Sequence, residues 1–232
     1  MKTIAFIFAR GGSKGLPGKN IKPLNGKPLL QYSIDTAKNV SQIDDVFVST
    51  DCDSIADVAL ACGAKVIRRP DELTTDTSPE WLSWRHAIEY VRSSYGDFDV
   101  FVSLPATSPL RGETDVSVAI KQLSDTGADI CISVTPANRS PYFNMVKENE
   151  DGYVELVNKP ATGVYRRQDA PEVFDITTVV YAAKPEFVLD KNALFDGKVT
   201  SVLIPKERAV DIDDIYDFML AEAIVKRKLN DA

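Results

Sequence analysis

Residues 3–9, TIAFIFA, are continuously apolar and rich in β-branched and aromatic side chains, the pattern of a strand buried on both faces of a parallel sheet. Glycines end the run. Leu29, Leu30, Ile34 and Ala37 then recur at helical spacing and predict a helix over 28–40, after which 45–50 reads as a second buried strand. A helix over 53–61 follows, with Gly63 placed to stop it. The pattern next predicts a short strand at 65–68, a polar loop, a helix over about 80–94, and the strongest interior strand at 99–104. Helix 115–125 and strand 129–135 come after. Strands alternating with helices of this length need right-handed crossovers, so the expected fold class is α/β, a doubly wound and mostly parallel sheet.

The pattern changes between 136 and 172. Prolines stand at 136, 141, 160 and 171, short alternating segments occupy 142–147 and 153–157, and the stretch is too polar to be core. It reads as small antiparallel strands forming a lid or dimerisation arm, or as a plain surface loop. Tyr142, Phe143 and Tyr165 cannot be buried by such a stretch alone, which favours packing on a second copy of the chain and hence a homodimer. Strands return at 176–183 and 200–204, and an amphipathic helix over 214–229 closes the chain. One domain, 1–232, with an arm inserted at 136–172, accounts for every segment.

Composition narrows the class. At 232 residues with 44% hydrophobic and 26% charged positions the chain has material for one sizeable core and is not disordered. The apolar runs at 3–9 and 99–104 are far short of the roughly 20 residues that span a bilayer, so no membrane role is expected. A net charge of −7 argues against a nucleic-acid partner, because such proteins displace counterions with basic surface. Yet Arg10, Lys14, Lys19, Lys22 and Lys27 fall in one segment without an acidic residue, which suits a small anionic ligand. Three cysteines, Cys52, Cys62 and Cys131, cannot all pair and lack metal spacing, so a reducing, cytoplasmic setting is expected.

The first strand runs into ARGGSKGLPGKN at 9–20. Glycines at the carboxyl end of the first strand let backbone N–H groups approach phosphate oxygens, at the edge where open α/β sheets bind ligands. The glycine spacing fits neither a Walker loop nor a dinucleotide fingerprint, so a dehydrogenase is excluded. What remains is a loop with Arg10, Lys14 and Lys19 as three separate cations, suited to a triphosphate. Near the other end, Asp211 and Asp213 alternate across Ile212, which in an extended segment puts both carboxylates on one face. Such a pair suits magnesium; equally, it can cap the helix that starts near Asp214.

The loop at 9–20 resembles the signature loop of the CMP-sialic acid synthetases, the acylneuraminate cytidylyltransferases, whose fold is that of the nucleotide-diphospho-sugar transferases. STDCDSIADVA, RRPDELTTDTSP, ATSPLR and ERAVDIDDIYDF follow in the family's order, so the resemblance covers nearly the whole chain. It implies a nucleotidyltransferase that couples CTP to an acidic nine-carbon sugar and releases pyrophosphate, with Mg2+. It implies Arg10, Lys14 and Lys19 on the triphosphate, with Gly12 and Ser13 in the same loop, Asp211 and Asp213 on the metal, and Asp211 beside the sugar hydroxyl. Arg69 and Ser78 would meet the pyrimidine, where a guanidinium can donate to cytosine O2, with backbone groups of Phe8 and Ala9 completing the pocket. The plain alternative for Arg69 is a surface ion pair with Asp71. His86, Trp81 and Trp84 are read as structural.

The acceptor side departs from the family. Pro105, before Thr107 and Ser108, stands where a polar glutamine is usual, and Thr177 to Tyr181 read TTVVY where the family has Asn-Gly-Ala-Ile-Tyr. N-acetylneuraminate, a legionaminate or pseudaminate type sugar and a Kdo-like acid therefore remain open. Arg111 and the arm's Arg166, Arg167 and Gln168 would bind the acceptor's carboxylate, the arm residues from the opposite chain of a dimer. A non-catalytic nucleotide-binding regulator of the same fold is the competing reading, against which stands the presence of all five phosphate and metal residues.

Overall fold

The computed structural model describes residues 1–159 and 166–230. β1 (Thr3–Phe8) leads through a small antiparallel pair, β2 (Pro23–Leu24) and β3 (Lys27–Pro28), into α1 (Leu29–Asn39). β4 (Asp45–Thr50), α2 (Asp53–Ala61), β5 (Lys65–Arg68), α3 (Glu80–Tyr95), β6 (Val100–Ser103), α4 (Glu113–Thr126) and β7 (Ile130–Pro136) continue the alternation. Then come the hairpin β8 (Val146–Glu148) and β9 (Val154–Leu156), β10 (Phe174–Ala183), α5 (Pro185–Asp190), β11 (Val199–Leu203) and α6 (Ile215–Asn230).

Seven strands form one sheet in the order β11-β7-β10-β6-β1-β4-β5. β10 pairs antiparallel with β6 and β7, while the other pairings are parallel, so the sheet is mixed but mostly parallel as its alternation predicted. β1 sits between β4 and β6, and the chain winds first to one side of it and then to the other. That reversal opens a crevice at the carboxyl ends of the strands, where doubly wound sheets bind ligands.

Period-two alternation in β1 divides the core. Ala5 and Ile7 face α1, α2 and α4, whereas Ile4 and Phe6 face α3 and α5. Phe6 stacks on Phe101 and Phe47 with ring centroids 4.9 and 6.0 Å apart. A third cluster, Leu24, Leu29, Leu110, Ile212, Phe218 and Ala221, lies under α6. It holds Ile212 fully buried and so anchors the aspartates on either side of it.

Several boundaries differ from the pattern for local reasons. α2 ends where Gly63 takes φ +76°, a conformation costly for any other residue. α4 starts earlier than its apolar periodicity indicates, because Asp115 acts from inside the first turn: its Oδ2 accepts the Gly112 N–H at 2.8 Å. α5 and the β2–β3 pair are too short to carry a period. Among the described residues no helix is long and apolar enough to cross a membrane.

Candidate active site

The loop after β1 is pinned at both ends. Ala9 N–H donates to the Ser49 carbonyl at 3.0 Å, prolonging the β1–β4 ladder, and Gly11 N–H donates to Asp51 Oδ1 at 2.9 Å. The buried Asn20, in the place where a Walker loop has Ser or Thr, donates from Nδ2 to the Arg10 carbonyl at 3.0 Å and clasps the loop on itself. Sequence reading missed this part; the departure from the Walker pattern was the available signal. A Cβ on Gly15 would collide with the Asp213 carbonyl oxygen, so the loop lies backbone to backbone against the segment at 211–213.

Between them is a cavity of about 350 Å3 lined by Phe8, Arg10, Lys14, Lys19, Thr107 and Asp213. Ser13 also reaches it, whereas Gly12 is an exposed loop position. All three cations named for a triphosphate therefore converge. Lys19 donates from Nζ to the Ile212 carbonyl at 2.7 Å and lies 3.4 Å from Asp213 Oδ1. Arg10 pairs with Asp76 at 3.0 Å, and Lys14 pairs with the same carboxylate. Lys14 and Arg10 hold the Asp76 carboxyl below the usual carboxylate range. Thr107, expected on the acceptor side, instead faces this phosphate-sized cavity, and its carbonyl accepts the Ile212 N–H at 2.9 Å.

A second cavity of about 260 Å3 shares Phe8 and Arg10 with the first and adds Arg69 and Ser78. Arg69 is buried and forms no surface pair with Asp71: Nε donates to Ser49 Oγ at 3.2 Å and Nη2 to the Ser49 carbonyl at 2.8 Å, with the guanidinium 5.7 Å from the Phe8 ring centroid. Burial pulls its pKa below the usual arginine value. Ser78 Oγ is buried with no hydrogen-bond partner among the described residues, a polar group with capacity to spare in the wall of a pyrimidine-sized space. The expected backbone contribution of Ala9 is half committed, since its N–H belongs to the sheet; Phe8 contributes its ring.

The third cavity, about 240 Å3, lies beside Asp211 and is lined also by Asn138, Asp175, Thr177, Thr178 and Lys206. A bulge shifts the β10 register between Thr177 and Tyr181, and Ser133 fills it: its Oγ donates to the Thr177 carbonyl at 3.0 Å and accepts from Thr177 Oγ1 and the Val180 N–H. Asp211 Oδ1 is buried with no partner among the described residues. The capping alternative falls to neighbours, because Asp214 Oδ1 accepts the Tyr216 and Asp217 N–H groups and Asp217 Oδ2 those of Asp213 and Asp214. The alternation predicted both carboxylates on one face; with Ile212 buried between them, Asp213 lines the cavity of the three cations and Asp211 a different one.

Within the copy, other residues named for the acceptor lie outside that cavity. Arg111 is fully enclosed and donates to the Val179, Pro105 and Thr178 carbonyls at 2.7, 2.5 and 3.4 Å and to Ser33 Oγ at 2.6 Å, which leaves its fork no room for a ligand carboxylate. Burial pulls its pKa down to about 9. Pro105 contributes that carbonyl, and Ser108 is buried against Thr178 Oγ1 at 2.7 Å. Arg166 forms a two-toothed pair with Asp169, each contact 2.9 Å. Arg167 donates to the Ala137 carbonyl at 3.1 Å and with Gln168 lines a separate cavity of about 460 Å3 at the root of the arm. Tyr181 lines an apolar cavity with Trp81, Trp84 and Phe195, and burial pushes its hydroxyl up to about 12. Tyr165 lies outside the described residues.

Residues 4–211 match the profile of a family described as cytidylyltransferase. The chain belongs to the cytidylyltransferase family. It is 35% identical over 228 residues to the post-translational flagellin modification protein B of Campylobacter coli, covering 96% of this chain and 94% of that one. It is 32% identical over 225 residues to the CMP-N,N'-diacetyllegionaminic acid synthase of Campylobacter jejuni, covering 96% and 94%. It is 31% identical over 221 residues to the N-acylneuraminate cytidylyltransferase of Streptococcus agalactiae serotype V, where 94% of this chain spans 52% of the relative, about half its length. Among solved structures, a CMP:2-keto-3-deoxy-manno-octonic acid synthetase complexed with CTP superposes with a TM-score of 0.74 at 17% identity, covering 98% of this chain and all of that one, a likeness of fold. This cytidylyltransferase fold thus places three cavities side by side along the carboxyl edge of the sheet.

Proposed function

We propose that the chain, as a single catalytic domain, couples CTP to an acidic 2-keto-3-deoxy sugar, a nonulosonic acid, giving the CMP-sugar and pyrophosphate. The observation that carries the reading is the convergence of Arg10, Lys14 and Lys19 on one cavity that Asp213 also lines, with Asp211 in the lining of the neighbouring one. The names of the relatives support the acceptor class, two of them being a legionaminic acid synthase and an N-acylneuraminate enzyme.

Nucleotidyl transfer is carried mainly by positioning and charge neutralisation. Cytosine would lie between Arg69 and Ser78, with the triphosphate on Arg10, Lys14 and Lys19 after displacing Asp76 from the first two. The anomeric oxygen then bonds to the α-phosphorus as the bond from that phosphorus to the pyrophosphate oxygen breaks, and the hydroxyl proton leaves toward the Asp211 side. The donor set fits a hard divalent cation: Asp211 Oδ1 is unpartnered and Asp213 is exposed beside the phosphate cavity. Magnesium held there would neutralise phosphate charge that builds up in the transition state. Three free cysteines support a cytoplasmic setting, and the exposed apolar side chains Val146, Tyr153 and Val154 of the arm support a homodimer.

The test is pyrophosphate release from CTP and magnesium with a panel of acidic sugars, ATP being the control nucleotide. CTP with at least one nonulosonic acid should be turned over and ATP should not; Asp211→Asn and Asp213→Asn should each cut turnover about a hundredfold or more in folded protein. Equal release from ATP, or full activity of both variants, would overturn the reading.

A further inference from the structure

We propose that Lys206 is the cation that recognises the acceptor's carboxylate, and so sets the preference for acidic over neutral sugars. The inference rests on the reading of the site as a nonulosonate cytidylyltransferase and deepens it. In a 2-keto-3-deoxy acid the carboxylate and the anomeric hydroxyl are attached to the same carbon. The carboxylate oxygens are three bonds from the attacking oxygen, so whatever binds them must stand in the cavity where that hydroxyl meets Asp211.

The titratable groups lining that cavity among the described residues are Asp175, Asp211 and Lys206. Two carboxylates alone would repel an anionic acceptor, and Lys206 is the charge of opposite sign. Its ammonium is aimed by a hydrogen bond to Asn138 Oδ1 on the same cavity wall. The amide takes one of three ammonium donors and leaves two for a ligand. Lys206 is carried on a short turn between β11 and the segment at 211–213, so the chain that positions Asp211 also positions the ammonium.

Arg139 lines the neighbouring cavity at the root of the arm, and four further arginines are engaged elsewhere within the copy. Arg111 gives its donors to three carbonyls and Ser33, Arg166 is paired with Asp169, and Arg167 faces the neighbouring cavity at the root of the arm. Arg208, two residues from Lys206, makes a two-toothed pair with the buried Asp115, 2.8 Å at each contact. A lysine suits the role because a compact point charge tolerates a carboxylate whose orientation is fixed elsewhere. Sequence inspection passes over Lys206 because it looks like one of many surface lysines and only the fold turns it toward Asp211.

The experiment compares wild type, Lys206→Met and Lys206→Arg on one acidic sugar accepted by the wild type and on its neutral C1 carboxamide. Lys206→Met should raise KM for the acid about ten- to a hundredfold, the range for losing a charge-assisted hydrogen bond, with KM for CTP unchanged. Turnover of the carboxamide should stay the same, so the acid-over-amide preference collapses. Lys206→Arg should restore most of it. The side chain is exposed, so the variants should remain folded, which thermal melting checks. If Lys206→Met keeps the wild-type preference, the cation comes from elsewhere, for instance from Arg166 or Arg167 of a second copy, and the assignment is overturned while the cytidylyltransferase reading stands. If the wild type itself accepts acid and carboxamide equally well, both the acidic-acceptor reading and the role of Lys206 fall.

Discussion

Arg69 owes its position to Ser49, which offers it a hydroxyl and a carbonyl, and to the Phe8 ring beneath its guanidinium. Under the proposed function, a loose fork at Arg69 would lose the geometry that selects a pyrimidine, since base discrimination would depend on where its remaining donors point. Ser49→Ala removes the hydroxyl contact and leaves the carbonyl one, so the loss should be about 1 kcal/mol, or roughly fivefold in KM for CTP. Steady-state kinetics should show that change in KM with kcat retained. A fall in kcat alone would mean that Ser49 serves the chemistry and not the base. Ser49 opens the STDCDSIADVA segment, but nothing in that string marks it as the support of Arg69. The RPDEL setting singles out Arg69 as a proposed base contact, but its support comes from β4, a contact 20 residues away that only pairing of β4 with β5 creates.

At the scale of elements, legibility follows punctuation. β4, α2 and β5 match their expected bounds because each is a strong apolar pattern closed by a turn signal such as Gly63. The β10 bulge is invisible in sequence: a period of two assumes unbroken register, and the shift at Thr177–Tyr181 depends on Ser133 from β7. Arg111 shows the same limit from the other side. Its ATSPLR setting marks it as a site residue, yet carbonyls from β10 and the loop after β6 use up its fork. Another element-scale device is the close approach of the loop after β1 to the segment at 211–213. Gly15→Ala puts a methyl group into the Asp213 carbonyl and must push the two apart, separating the phosphate cations from the aspartates. Pyrophosphate release should fall about tenfold or more, as small misplacements in a positioned site do, while the melting temperature changes by a few degrees at most because the loop is on the surface. Activity near wild type would show that the contact is incidental.

For the whole molecule the open question is what covers the arm. Val146, Tyr153 and Val154 on the β8–β9 hairpin are 58, 73 and 69% exposed. An isolated two-stranded hairpin is marginally stable in water, and one with its apolar side chains in solvent needs a surface to lie on. Helices already cover both faces of the sheet, and among the described residues the hairpin strands belong to none of its core clusters. A second copy would supply the same apolar patch in return, as in two-fold dimers. Val146→Asp with Val154→Asp should therefore leave each subunit folded, with unchanged helical circular dichroism, and shift a wild-type dimer to a monomer in sedimentation velocity at micromolar concentration. The arm also borders the acceptor cavity through Pro136, which lines both it and the cavity at the arm's root, so dimer loss should raise KM for the acid sugar more than KM for CTP. A wild type that sediments as a monomer would overturn the homodimer, and a double variant that stays dimeric would place the partner surface elsewhere on the molecule.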